Sequence, residues 1–153
     1  MIKLVISILI CHCAGIIGSF FTRHSISEWY ALINKPVFNP PNWVFAPVWA
    51  SLYTVMGIAV FLVWRKGFHK SGVRAALVIF LVHLGLNSLW SIVFFGGRSI
   101  IGGMVVIVLL WLAILWTMRA FFAVSKPACY LLTPYILWVT FALVLNLALL
   151  RLN

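Results

Sequence analysis

The chain has 153 residues, of which 65% are hydrophobic and only 8% charged. Soluble domains carry about 25% charged residues, so this composition cannot cover a water-facing surface, and a soluble enzyme or soluble binding module is excluded. The net charge of +10, with Glu28 the sole acidic residue, would suggest nucleic acid in a soluble protein. Here the basic residues flank apolar runs, the usual membrane pattern, and no nucleic-acid partner is expected.

A bilayer core about 30 Å thick takes roughly 20 apolar residues as a helix. Five runs qualify: about 4–21, 45–64, 75–95, 100–118 and 128–150. They predict an all-α integral membrane bundle of five transmembrane helices, a single domain over residues 1–153, with a structured loop between helices one and two. Uninterrupted stretches such as Gly103–Leu115 lack the alternation of a transmembrane barrel. Lys3 ahead of the first run also fits a signal peptide, but the run is long and Ser19–Phe21 is not a clean cleavage site.

Helix one carries a small, polar strip of His12, Gly15, Ser19 and Thr22. Cys11 and Cys13 flank His12, but residues two apart do not share a helix face; no metal site and no disulfide framework is expected. The link at about 22–44, TRHSISEWYALINKPVFNPPNWV, exceeds a dozen residues, a length that goes with a role of its own. Ser27 is expected to cap a short helix through Leu32. Lys35-Pro36 ends it, because the residue before proline avoids helical geometry. Pro40-Pro41 then runs extended, and Pro47 suits the first turn of helix two. The link is thus a structured cap over one mouth of the bundle.

Helix two presents Trp49, Tyr53, Met56 and Val60 at helical spacing. Helix three does the same with His83, Asn87, Trp90 and Phe94. Helix five follows with Tyr135, Trp138, Ala142 and Leu145, with Asn146 adjoining. Trp64 and Trp116 lie near helix ends beside Arg65 and Arg119, as in an interfacial belt. Trp90, Trp111 and Trp138 lie nearer mid-helix, where an indole N–H needs a partner. Two readings stand side by side. Asn87, His83 and Asn146 are interhelical glue, or they anchor an aromatic cavity of the kind that takes a small molecule. No Asp or Glu lies within any run, which argues against ion coupling. No nucleophile–base pair or phosphate loop is present, so no catalytic residue, metal or cofactor is assigned.

Lys3, Arg65, Lys66, Lys70, Arg74, Arg119 and Lys126 fall on one side of the membrane, and Arg23, Lys35, Arg98 and Arg151 on the other. The positive-inside rule then puts the amino terminus in the cytoplasm and the first loop outside, for a multi-pass protein of a bacterial-type cell membrane.

Several motifs resemble those of the TspO family of tryptophan-rich sensory and translocator proteins. They are Trp29-Tyr30 to Lys35-Pro36 and Phe38-x-Pro40-Pro41-x-Trp43-x-Phe45-x-Pro47-Val48-Trp49, then Asn87-x-x-Trp90 with Phe94-Phe95-Gly96. Pro134-Tyr135-x-x-Trp138 with Phe141-Ala142 and Leu145-Asn146 completes the set. The resemblance spans essentially the whole chain. It implies a membrane receptor, sensor or transporter that binds porphyrins and benzodiazepine-site ligands between the helices, beneath the first loop. Pocket residues carried over are Trp49, Asn87, Trp138 and Ala142, followed by Trp43 and Trp90; Tyr53 and Tyr135 join them from the stripes. A flat ring is expected between Trp138 and Trp49, near Asn87, with its carboxylates toward Arg23 or Lys35. The resemblance also implies a homodimer, and for some members light-dependent porphyrin breakdown. The animal sterol motif has a Tyr where this chain has Leu147, so it is incomplete. Passive passage of small solutes is the remaining alternative.

Overall fold

A computed structural model describes residues 1–153. It contains helices and no strands: α1 (Ile2–Ser25), α2 (Asn42–Trp64), α3 (Val73–Ser91), α4 (Ile100–Val124), α5 (Lys126–Leu131) and α6 (Thr133–Leu152). Five stretches are long and apolar enough to cross a membrane: Ile2–Tyr30, Asn42–Trp64, Val73–Gly96, Ile100–Val124 and Lys126–Leu152. The expected all-α five-span architecture is therefore present. Around the bundle the spans follow the order one, two, five, four, three, with spans one and three meeting to close the ring.

Two details of the first link differ from the expectation. Residues Ile26–Tyr30 continue α1 as a π-helical turn. Ser27 does not cap a new helix; its Oγ donates back to the His24 carbonyl at 3.3 Å. Nothing between Thr22 and Ile33 breaks a helix, so α1 runs on until the chain nears Pro36. The connection proper is therefore short, and α2 begins at Asn42. Pro47 consequently lies inside α2 rather than in its first turn, where its missing N–H leaves one backbone bond unmade. The last span is also divided. Thr133-Pro134 starts α6 after α5, because proline is favoured in a first turn and ends what precedes it.

Lipid tails give no hydrophobic drive for helices to associate, so close backbone approach and polar bridges hold the bundle. Gly57 of α2 packs directly on α1, since a Cβ there would sit 2.6 Å from the Ile8 Cα. Ser88 Oγ of α3 donates to the Ala14 carbonyl of α1 at 3.1 Å, and His12 Nε2 meets Thr54 Oγ1 of α2 at 3.0 Å. On the α3–α4 seam, buried Thr117 bridges to His83 Nδ1 at 3.0 Å.

The two membrane ends differ. At one, Lys3 Nζ lies 5.6 Å from the Trp64 ring. At the other, the first link is fastened to its surroundings. Glu28 pairs with Arg98 at 2.6 Å, and Ser25 Oγ donates to the Phe95 carbonyl at 2.5 Å. Asn34 and Asn153 clasp each other: Asn34 N donates to Asn153 Oδ1 at 2.9 Å, and Asn153 Nδ2 donates to the Asn34 carbonyl at 3.0 Å.

Gly57→Leu is expected to destabilise the bundle by about 1–3 kcal/mol, the usual range for overpacking, because the atom in the way belongs to backbone. Thermal unfolding of the detergent-purified variant against wild type measures this. A melting temperature equal to that of wild type would show that α1 can shift freely.

Candidate functional site

A cavity of about 360 Å³ lies between the helices beneath the first link. Each wall follows from one helical stripe. From α1 come His12, Gly15, Gly18, Ser19, Thr22 and Arg23, small or polar residues repeating every three to four positions. From α2 come Phe45, Trp49 and Tyr53, one face of that helix, with Ala46 and Ala50 beside them. Trp90 and Ser91 of α3 and Phe94 and Phe95 just beyond form the third wall, and Ala142, Leu145, Asn146 and Leu149 of α6 the fourth. Tyr30 closes the top and is buried.

The aromatic side chains are mutually fixed. Trp49 stacks on Tyr53 with ring centroids 5.5 Å apart and an interplanar angle of 28°. Trp90 stacks on Phe94 at 5.2 Å and 17°. Tyr30 donates to Asn39 Oδ1 at 2.6 Å, and Lys35 Nζ sits 5.0 Å from its ring. That Lys35 ammonium also donates to the Ala31 and Ile33 carbonyls, so it braces the link. The basic group on the cavity wall is Arg23.

The sequence-derived site residues separate into three groups. Trp49, Tyr53, Trp90 and Ala142 line the cavity. Asn87 and Tyr135 lie behind it, buried and joined to the wall through Tyr53. The Tyr53 hydroxyl donates to Asn87 Oδ1 at 2.5 Å, and Asn87 Nδ2 donates to the Tyr135 hydroxyl at 3.0 Å. One amide thus ties α2, α3 and α6 together and fixes how Tyr53 is presented. Trp138 and Trp43 are apart from the wall. Trp138 packs against Phe45 at 6.0 Å and Phe141 at 5.4 Å, as a backing for Phe45. Trp43 is 74% exposed at the start of α2.

Most of the lining lies outside the sequence-derived set, Phe45 and Tyr30 among it, and Asn146, weighed above as glue or anchor, is on the wall. Phe45 is four residues before Trp49 and so shares its face, a signal present in the spacing. Tyr30 falls in the link, whose fold spacing did not reveal. Asn146 adjoins the helix-five stripe without being on it.

The cavity is not sealed. Ile16 and Ser19 of α1 and Ala46 and Ala50 of α2 line it and are exposed. The chamber is therefore open beside α1 and α2 at this level.

The fold and the cavity define a five-span membrane protein with an aromatic chamber between its helices and under its first interhelical link. The TspO/MBR family model matches residues 7–152, and the chain belongs to that family. It is 45% identical to the tryptophan-rich protein TspO of Chlorobaculum tepidum, over 100% of this chain and 97% of that protein. It is also 45% identical to a protein of the same name from Archaeoglobus fulgidus, over 100% and 98% of the two chains. The human translocator protein is 38% identical over 85% of this chain and 78% of its own length. Integral, multi-pass residence in a membrane follows from the five spans and the family together.

The Asn87 bridge makes a thermodynamic prediction. Asn87→Ala leaves two buried hydroxyls without their partner and is expected to cost about 1–3 kcal/mol. Tyr53→Phe and Tyr135→Phe should be non-additive, with a coupling of at least about 0.5 kcal/mol, because they share that amide. A double-mutant cycle on unfolding in detergent tests it; strict additivity would mean the two tyrosines act independently.

Proposed function

We propose that this protein is a membrane receptor, sensor or transporter that binds porphyrins or related flat, largely apolar tetrapyrroles in the chamber under its first link. The observation that carries the reading is the chamber itself: aromatic faces on two sides, a small-residue strip on the third, and a single cationic group, Arg23, on the wall. Its volume of about 360 Å³ lies in the range of small-molecule sites. A macrocycle larger than the chamber has room to extend through the gap between α1 and α2. The Trp49–Tyr53 stack supplies a flat apolar face, and Arg23 suits an ionised carboxylate on the ligand's edge. Relatives bearing the names translocator protein and tryptophan-rich sensory protein support carriage or sensing over turnover. In this arrangement Trp49 contacts the ring directly, while Asn87 acts through Tyr53 and Trp138 through Phe45.

The test is a titration with protoporphyrin IX in the dark, followed by tryptophan fluorescence. Saturable quenching is expected. Trp49→Ala should weaken binding by on the order of tenfold or more, as removal of one stacking face costs about 1–3 kcal/mol. Trp138→Phe should have the smaller effect. Absence of saturable quenching in a folded preparation would sink the reading.

The charge asymmetry supports an orientation with the amino terminus in the cytoplasm and the chamber end outside. Reporter fusions at residues 68–70 and at the carboxyl terminus are expected to report cytoplasmic and external locations respectively; the reverse pattern would overturn the assignment.

A further inference from the structure

Two side chains on the chamber wall carry buried polar atoms without a partner. Asn146 is 1% exposed, and neither its Oδ1 nor its Nδ2 has a hydrogen-bond partner. Trp90 Nε1 is likewise buried without a partner. Both residues line the same chamber. Trp90 stacks on the Phe94 ring at 5.2 Å. The Asn146 amide lies over Gly103 of α4, where an added Cβ would come 3.1 Å from Asn146 Nδ2 and 2.5 Å from a ring carbon of Phe94. Buried amides left unpaired are rare and call for a reason. The comparison within this protein sharpens the point. Asn87, the same residue type in α3, has both amide atoms engaged across helices. Interhelical bonding accounts for Asn87 and does not account for Asn146.

We infer that Asn146 and Trp90 form a hydrogen-bonding subsite on the α3–α6 wall. It takes a neutral group with a carbonyl acceptor beside an N–H or O–H donor, the chemistry of a carboxamide or a protonated carboxylic acid. The Asn146 amide is the complement of such an edge: Nδ2 donates to the carbonyl, and Oδ1 accepts from the donor. Trp90 N–H supplies a second bond to the same carbonyl. The amide is folded toward Gly103, whose missing side chain leaves it room. The terminal torsion of asparagine is broad, so turning the amide toward the chamber costs little. An ionised carboxylate has its own partner in Arg23 on the α1 wall, so the two walls sort the ligand's polar groups by charge. This inference rests on the reading of the chamber as a tetrapyrrole site and adds a polar specificity to it.

The probes are the bis-carboxamide of protoporphyrin IX and its dimethyl ester, titrated into the full-length protein in detergent. Both are uncharged and differ in the donor. Wild type is expected to bind the bis-carboxamide on the order of tenfold more tightly, a difference one or two hydrogen bonds supply. Asn146→Leu should bring the two affinities together, while its ligand-free melting temperature stays level or rises, since leucine carries no unpaired atoms. Trp90→Phe keeps an aromatic ring against Phe94 and removes the N–H with part of the indole face, so it should weaken both probes about equally. Equal affinities in wild type, or an unchanged preference in Asn146→Leu, would overturn the subsite and leave the chamber reading standing. A lower melting temperature in Asn146→Leu would also overturn it, by marking the amide as structural. If wild type bound neither probe, the tetrapyrrole reading would fall and the subsite with it.

Discussion

The amide of Asn87 is the constraint on which the rest of the bundle depends. In hydrocarbon an unpaired amide is expensive, and a paired one is a fixed joint between helices. Asn87 spends both of its polar atoms on tyrosines of other spans, at 2.5 Å and 3.0 Å. That places α2, α3 and α6 at one distance and one level. The Tyr53 ring is then held in position, and Trp49, stacked on it, is held in turn. The chamber's flattest wall is therefore set by a residue that does not touch the chamber. On its other side Asn87 leads through Tyr135 to His83, whose ring lies 5.6 Å away, and so to the Thr117 contact of α4.

Helix α1 is attached differently. Its contacts with α2 and α3 concentrate where glycine and small residues allow backbone to meet side chain, as at Gly57 with Ile8. Toward Thr22 the strip of small residues continues, but α2 offers it Ala46 and Ala50, and neither helix fills the space between. The chamber is the volume left by this divergence. Apart from the buried Ser25–Phe95 bond, its roof is held by exposed polar fasteners, where water competes. The Glu28–Arg98 pair has both side chains more than half exposed, and such pairs contribute little stability. The spans are thus held by buried bonds and the roof largely by exchangeable ones, an arrangement in which local opening of the link costs less than loosening of the bundle.

Much of this was legible from the residues. Long apolar runs with so few charges have one physical solution, and the helix stripes identified which side chains face inward. Trp49, Tyr53, Trp90 and Ala142 were placed on one chamber by periodicity and resemblance together. What periodicity could not supply was depth and direction. Asn87 and Trp90 share a face of α3, yet one is a joint below the chamber and the other is on its wall. Trp138 shares a face with Ala142, but Phe45 stands between it and the open volume. Nor did the sequence distinguish a satisfied asparagine from an unsatisfied one, since Asn87 and Asn146 differ only in what the neighbouring helices present to them. Ser27 caps nothing because a capping residue is a sufficient signal only where a helix has already stopped, and α1 continues through it.

The gap between α1 and α2 changes what concentration means for this protein. Its rim of Ile16, Ser19, Ala46 and Ala50 belongs to spans that face lipid. A molecule dissolved among the acyl chains is already at the door, so the amount that governs occupancy is moles per mole of lipid, not molarity in the aqueous phase. Compounds with equal intrinsic fit will differ in apparent potency by their partitioning. Diluting the protein into more detergent will weaken apparent binding even when no contact in the chamber has changed.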